Sequence, residues 1–139
     1  MSEFLQDYAL AFSAGDVEEV ANFYDMPLSM IHPTTSALVT DRERLIDQLT
    51  AIHDVYAAAG MGRVRATSAE EVGFDDGMGM LNVRWALYRR GGGLMTTVAT
   101  TYVLRHRDGQ LRIAGVIAHN EAERRGALAL ASRRARSTR

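Results

Sequence analysis

The stretch that decides the fold is residues 12–33, which read FSAGDVEEVANFYDMPLSMIHP. A first helical pattern ends at Gly15, a residue type that readily adopts the left-handed conformation found just after helices. Asp16 then begins the capping sequence Asp-Val-Glu-Glu of a second helical pattern. Pro27 interrupts the helical pattern, and the chain continues in extended form to His32. The stretch therefore predicts two short helices followed by a short strand that ends at a histidine.

The rest of the chain extends this order of elements. Apolar residues recur every three or four positions in residues 3–13, 17–25 and 41–59, which predicts three helices. Residues 28–39 have the pattern of a short hairpin. From 62 to 119 the apolar period changes to two, and turn signals such as Asp-Gly separate four long strands. The order α-α-β-β-α-β-β-β-β predicts an α+β fold, with helices on one face of a curved antiparallel sheet.

Composition limits the class of protein. A chain of 139 residues, of which 47% are hydrophobic, is the size of one domain with its own core. The sequence contains no cysteine, which excludes disulfides, thiolate catalysis and cysteine-ligated metals. Acidic residues stand near the N-terminus where a signal peptide has a basic region, and no apolar run has the length of a membrane span. We therefore expect a cytoplasmic protein without a membrane partner.

Charge is unevenly distributed along the chain. Residues 120–139 contain six Arg and two Glu, a net charge of +4, whereas residues 1–119 carry −5. We expect a domain over 1–119 and a basic C-terminal tail over 120–139 that could be helical. The tail has no aromatic residue on which a base could stack, so we do not expect nucleic acid as a partner.

The opening pattern LxxYxxAFxAGDxEEVxxFY in residues 5–24, the extended segment ending in His-Pro and the final four strands carry a resemblance. They resemble the nuclear-transport-factor-2-like superfamily, which includes ketosteroid isomerase and polyketide cyclases, over residues 3 to about 119. The resemblance implies a cone-shaped fold in which the curved sheet wraps around a pocket covered by the three N-terminal helices. It also implies a homodimer through the outer face of the sheet. It does not imply one reaction, because function resides in the site and not in the fold.

Candidate catalytic residues follow from the same resemblance. Ketosteroid isomerase uses an Asp base and an oxyanion hole formed by a Tyr and a protonated Asp. On that pattern Tyr8 corresponds to the oxyanion Tyr, His32 to the base and Thr101 to the protonated Asp, so only Tyr8 matches. Histidine is a competent base near neutral pH, since its ordinary pKa is about 6.5. The Thr101 hydroxyl would be a weaker donor to a developing oxyanion.

Strand alternation suggests which residues would line the pocket. If Thr101 points inward, residues of the same parity on its strand do so as well, and Tyr102 and Leu104 fall on the outer face that a partner copy would bury. The candidate ligand-binding residues are Met30, Trp85, Met95, Thr97, Val116 and His119. This wall suits a small apolar or aromatic ligand. The alternative, in which these side chains fill a solid core, stays open because alternation cannot distinguish the two.

Two functions remain open from the sequence. The first is a small-molecule-binding domain with an apolar pocket and no assignable reaction. The alternative is an enzyme of isomerase, cyclase or hydrolase type, with His32 as general base and Tyr8 as oxyanion donor. We expect no cofactor, and we expect no metal site because none of the four histidines has another at helical or strand spacing. The epoxide hydrolases of this superfamily use an Asp–Arg–Asp arrangement on the strands. Arg84 and Arg105 are available here, but no pair of strand carboxylates flanks either one.

Overall fold

The structure is a computed structural model that describes residues 2–137, apart from the side chains of residues 122, 123, 132 and 134–137. The helices are α1 (Ser2–Ser13), α2 (Val17–Ala21), α3 (Arg42–Ala58) and α4 (Glu121–Ser137). The strands are β1 (Tyr24–Ile31), β2 (Ser36–Val39), β3 (Met61–Asp75), β4 (Met78–Arg89), β5 (Leu94–Arg107) and β6 (Gln110–Ala118). The predicted α+β class is confirmed, as are the first and third helices, the hairpin and the four long strands.

Aspartates cap the N-termini of α2 and α3, and the Asp16 cap of α2 is the one that the sequence predicts. The Asp16 side chain accepts a hydrogen bond from the backbone N–H of Glu19, and Asp41 accepts from Glu43 and Arg44. Gly15, between α1 and α2, has a φ of +73°, and a Cβ there would come within 3.1 Å of the His53 ring. Only glycine combines that conformation with so close a contact.

The second helix is shorter than its pattern predicts. It ends at Ala21, not at residue 25, and Tyr24 is already the first residue of β1. Tyr24 pairs with Ile113 of β6, and the Phe23 carbonyl accepts a hydrogen bond from the Ile113 N–H. This long-range strand pairing outweighs the local helical pattern. As a consequence, Tyr24 enters the interior from the sheet.

The sheet has six strands in the order β2-β1-β6-β5-β4-β3. The four long strands pair antiparallel, as predicted, and β1 pairs antiparallel with β2. The pairing of β1 with β6 is parallel, so the sheet is mixed. It curls without closing and the helices lie against it. α1 packs on β3, and α4 packs on α3 and β5. None of the helices in the described part of the chain is long and apolar enough to span a membrane.

The inward face of β5 is opposite to the one expected. Val98, Thr100, Tyr102 and Leu104 are buried, with Leu104 fully inaccessible. The expected outer positions of Tyr102 and Leu104, and hence their place in a dimer interface, are therefore wrong. Both parities of the β5 sequence carry apolar residues, so alternation alone could not decide between them. The pairing of Val98 with the buried Trp85 of β4 fixes the observed orientation.

Candidate functional site

A cavity of about 80 Å³ lies between the inward face of the sheet and α1, α3 and α4. Most of its wall is apolar. The apolar lining residues include Phe12, Met30, Leu45, Leu49, Ile52, Val64, Leu87, Val98, Val116 and Ala118. The polar lining residues are Tyr8, Tyr24, His32, Gln48, Tyr56, Thr100, Tyr102, Glu121 and Arg125, with the indole of Trp85 beside them. A wall of this kind, with a few polar groups, is typical of a small-ligand site.

Three tyrosines and Trp85 form the sheet side of the cavity. The hydroxyl oxygens of Tyr8 and Tyr24 lie 2.7 Å apart and share a hydrogen bond. The indole Nε1 of Trp85 donates to the Tyr102 hydroxyl at 3.0 Å. The Tyr8 ring stacks on Trp85 with centroids 5.6 Å apart. This packing holds three phenol hydroxyls at one end of the cavity.

A count of hydrogens indicates what these phenols can offer a ligand. One of the two hydroxyl hydrogens of Tyr8 and Tyr24 is used in the hydrogen bond between them. The hydrogen of the other hydroxyl is left to donate to a ligand. Tyr102 accepts from Trp85 and also keeps its hydrogen. Burial raises the pKa of all three tyrosines, and the charge of a neighbouring phenol raises it further for each of them. The phenols therefore stay protonated and act as hydrogen-bond donors, not as bases.

Glu121 brings a carboxyl group to the cavity from the first turn of α4. Its Oε1 accepts a hydrogen bond from the Thr100 hydroxyl at 2.7 Å. Burial raises the pKa of Glu121, although the bond from Thr100 and the charges of Arg125, His32 and His119 oppose the rise. A carboxyl with a raised pKa can give up or take a proton closer to neutral pH than an exposed glutamate can.

The helix side of the cavity contains two buried polar atoms that lack partners. The Tyr56 hydroxyl and Gln48 Oε1 make no hydrogen bond to any residue that the structure describes. Both belong to α3, two helical turns apart, and both line the cavity. Buried polar groups without partners are uncommon, so they point to a bound molecule or water.

The structure brings together five of the nine predicted site residues. Tyr8, Met30, His32, Trp85 and Val116 line the cavity. The other four predicted site residues, Met95, Thr97, Thr101 and His119, do not.

Thr101 was expected to point inward and instead lies on the outer face of the sheet. Its hydroxyl contacts Asn82 Oδ1 at 2.6 Å and His119 Nε2 at 2.8 Å. A shallow groove on that face is lined by these three residues together with Arg84 and Glu70. The displacement follows from the reversed parity of β5, which turns the whole odd-numbered set away from the cavity.

Sequence reasoning missed much of the polar lining. Tyr24 was assigned to a helix, Thr100 and Tyr102 to the outer face, and Glu121 to the tail. Tyr102 is the largest hydrophobic side chain of its strand, and that signal indicates an inward position for its parity. No local pattern marks Glu121 as a cavity residue, because only the fold of α4 over the mouth brings it there.

A charged cluster lies on the outer face, away from the cavity. Asp25 is buried, and its Oδ2 accepts hydrogen bonds from Arg105 Nε at 2.8 Å and Arg107 Nε at 2.9 Å. Here two arginines flank one carboxylate, which is the reverse of the Asp–Arg–Asp arrangement considered for a hydrolase. Among the side chains that the structure describes, no group of three His, Asp or Glu is placed to hold a metal.

Most of the chain matches a known family model. The family model described as NTF2-like protein (DUF6841) matches residues 1–121. The chain belongs to this NTF2-like family. The match includes Glu121 and ends before most of α4. No curated protein matches the chain in sequence.

Solved structures agree on the fold. An NTF2-like protein with a cystatin-like fold from Novosphingobium aromaticivorans has a TM-score of 0.67 at 14% identity, covering 85% of this chain and 77% of that one. An NTF2-like protein from Shewanella oneidensis has a TM-score of 0.64 at 18% identity, covering 84% and 93%. A ketosteroid isomerase-like protein from Erwinia carotovora atroseptica has a TM-score of 0.59 at 15% identity, covering 84% and 90%. At these identities the likeness concerns the fold alone.

Proposed function

We propose that the chain binds a small, mostly apolar molecule in the cavity, and we assign no reaction to it. The observation that carries this proposal is an apolar wall with phenol donors at one end of the same space. Tyr8 or Tyr24, and Tyr102, each have a hydrogen to donate, so a ligand that binds there should carry an oxygen acceptor such as a carbonyl.

The size of the cavity limits the ligand to a few heavy atoms. Its volume of about 80 Å³ compares with about 150 Å³ for a cavity that binds benzene and roughly 300–1,000 Å³ for pockets that take drug-sized ligands. A four-ring compound does not fit this space. Short-chain or single small-ring compounds match it best.

The binding proposal can be tested by fluorescence, because Trp85 is the only tryptophan of the sequence and lines the cavity. Titration with small ketones and alcohols should change its emission saturably. Ala118→Leu adds volume inside the cavity and should abolish the change, whereas Ala127→Leu on the exposed part of α4 should not. Equal responses from both variants would contradict binding in this cavity.

A second candidate function, an enzyme of isomerase, cyclase or hydrolase type, is favoured by Glu121. Its carboxyl has a raised pKa and shares the cavity with His32 and with the phenols near Tyr8. A proton could pass to or from Glu121 or His32 while a phenol stabilises a developing oxyanion. In this scheme the Tyr24 hydroxyl is hydrogen-bonded to Tyr8, the oxyanion donor. Thr101 does not act as the second donor that the resemblance implies, because it lies outside the cavity.

Deuterium exchange tests the enzyme candidate without knowledge of its substrate. If the site enolises carbonyl compounds, the protein should accelerate exchange of the hydrogens next to the carbonyl of butanone in D₂O, as followed by proton NMR. Glu121→Gln or His32→Ala should abolish the acceleration while the free energy of unfolding changes by no more than about 1–2 kcal/mol. Exchange at the uncatalysed rate in the native protein would leave only the binding function.

We also propose a homodimer through the outer face of the sheet. A row of paired apolar residues crosses three strands of the sheet, formed by Val72 of β3, Met80 of β4 and Val103 of β5. Val72 and Met80 are exposed. Burial of such a strip by a second copy would remove apolar surface from water. Light scattering at micromolar concentration should give twice the chain mass for the native protein and the chain mass for Met80→Glu. A native monomer would overturn the proposal.

A further inference from the structure

The helix side of the cavity presents hydrogen-bond donors that lack an acceptor. The Tyr56 side chain is only 3% exposed, and its hydroxyl has no hydrogen-bond partner among the described residues. Arg125 of α4 lines the same cavity. Leaving a buried donor without an acceptor is costly, so this end of the cavity favours a ligand that supplies one.

Arg125 and Tyr56 line the same cavity from α4 and α3, two helices that pack together. Burial raises the pKa of Tyr56, and the positive charge of Arg125 opposes that rise. In the described part of the chain, the ion pairs are those of Asp25 with Arg105 and Arg107, and none involves Arg125. The guanidinium therefore faces the cavity with donors and a positive charge that no described carboxylate neutralises by direct contact.

We infer that the ligand is a small monocarboxylic acid, whose carboxylate lies between Arg125 and Tyr56 and whose apolar body extends along the wall of the cavity. This inference rests on the small-ligand function proposed above. A guanidinium matches a carboxylate with two parallel N–H donors, and the Tyr56 hydroxyl adds a third donor to the same group. The carboxylate oxygens in turn provide the acceptors that both side chains lack.

Two other polar groups line the cavity, and neither opposes an anion between Arg125 and Tyr56. Glu121 is one helical turn before Arg125, and its carboxyl already accepts from Thr100. Burial raises its pKa, which favours the neutral form of the carboxyl in the folded protein. Gln48 lies two turns before Tyr56, about 12 Å along the α3 axis, so it is not part of the subsite.

The apolar body of the acid must be short. The wall beyond the donors is formed by residues such as Ile52 and Leu49, and the space holds only about 80 Å³. Acids of two to four carbons come nearest to this limit, whereas a ring attached to the carboxylate would require side chains to move.

Butyrate and butyramide provide a matched test, because they have nearly the same shape and differ in charge. Each is titrated into the protein at pH 7.5, and the dissociation constant is measured from amide chemical shifts in ¹⁵N-resolved NMR spectra. We expect butyrate to bind at least about tenfold more tightly than butyramide, since charge-assisted hydrogen bonds are the stronger kind. Arg125→Gln and Tyr56→Phe should each weaken butyrate binding about fivefold or more and weaken butyramide binding less, because the amide carbonyl accepts only ordinary hydrogen bonds from these donors.

Arg124→Gln is the matched control, since it removes the same charge from the adjacent, exposed position of α4 and should leave both constants unchanged. If butyramide binds as tightly as butyrate and Arg125→Gln changes neither, the acid inference is wrong while the small-ligand function stands. If Arg124→Gln weakens butyrate binding as much as Arg125→Gln does, the effect is a general attraction of the anion to positive charge. The proposed carboxylate position between Arg125 and Tyr56 is then wrong. If neither compound binds and small ketones also fail to bind, the small-ligand function itself fails.

Discussion

Thr100 and Thr101 are adjacent in β5, yet their hydroxyls serve opposite faces of the sheet. Thr100 donates to Glu121 inside the cavity at 2.7 Å, whereas Thr101 contacts Asn82 and His119 on the outer face. Successive side chains of a strand point to opposite sides of the sheet. If the inward positions of β5 are assigned one residue out of register, every polar group of the strand is placed on the wrong face.

The first prediction uses this pair of threonines as its own control. Thr100→Val removes the donor to Glu121 and should alter the Trp85 response to small ligands. Thr101→Val should leave that response unchanged, and it should cost about 1 kcal/mol of unfolding free energy from lost hydrogen bonds. Ligand titrations by fluorescence and urea unfolding measure the two effects. A larger effect of Thr101→Val on ligand binding would show that the cavity is not the site.

The sequence is sufficient to predict most of the fold, for physical reasons that particular residues illustrate. Gly15, Asp16 and Asp41 act locally, through conformation and capping, and the helices begin and end near them as predicted. In β4 the alternating apolar residues Leu81, Val83, Trp85 and Leu87 are all buried, as their spacing predicts. Local rules were therefore enough wherever one face of an element is clearly apolar.

The candidate site was less predictable, because its polar groups depend on long-range contacts. Tyr24 has a helical spacing and joins a strand because it pairs with Ile113, about ninety residues later. β5 has apolar residues on both faces, so its orientation depends on its neighbours. Glu121 reaches the cavity only after α4 packs on α3 and β5. Each of these residues needs the complete fold before its role can be assigned.

The second prediction concerns the hydrogen bond between the Tyr8 and Tyr24 hydroxyls, which are 2.7 Å apart. Tyr24→Phe leaves the Tyr8 hydroxyl buried with fewer partners and should cost about 1–3 kcal/mol of unfolding free energy. The double variant with Tyr8→Phe should cost less than the sum of the single changes, by about 0.5–1.5 kcal/mol. Urea unfolding of the four proteins measures this coupling. Tyr88→Phe, a partly exposed tyrosine, is the control. Additive effects would argue against the bond.

The third prediction concerns the pH dependence that Glu121 contributes. Burial raises its folded-state pKa above the ordinary value of 4.5, so the folded protein favours the protonated form. The stability due to this group is complete below pH 4.5 and is lost as pH rises through the folded pKa. Glu121→Gln mimics the neutral form at every pH, so the Tm difference from the native protein should be small at pH 4 and should favour the variant at pH 8.

The charges that interact with Glu121 are those of Arg125, His32 and His119. Because the histidines also titrate between pH 5 and 8, the same Tm series is run on His32→Ala with and without Glu121→Gln. The pH dependence of the Glu121→Gln difference should persist in that background. A Tm difference that is constant from pH 4 to pH 8 would show that Glu121 has an ordinary pKa.

The last prediction concerns Asp25, which joins β1 to β5 through Arg105 and Arg107. Burial raises the pKa of Asp25, but hydrogen bonds and charges from Arg105 and Arg107 outweigh it and hold the pKa below its ordinary value of 3.8. The ionised form is thus favoured in the folded state, and the stability it contributes is present above pH 3.8 and lost as pH falls through the folded pKa.

Asp25→Asn should therefore cost about 1–2 kcal/mol of unfolding free energy at pH 7, a value reduced for the solvent exposure of both arginines. The cost should be smaller at pH 2.5. Urea unfolding at the two pH values measures this difference, with Asp47→Asn on the exposed side of α3 as the control. An equal cost at both pH values would mean that Asp25 acts through packing and not through its charge.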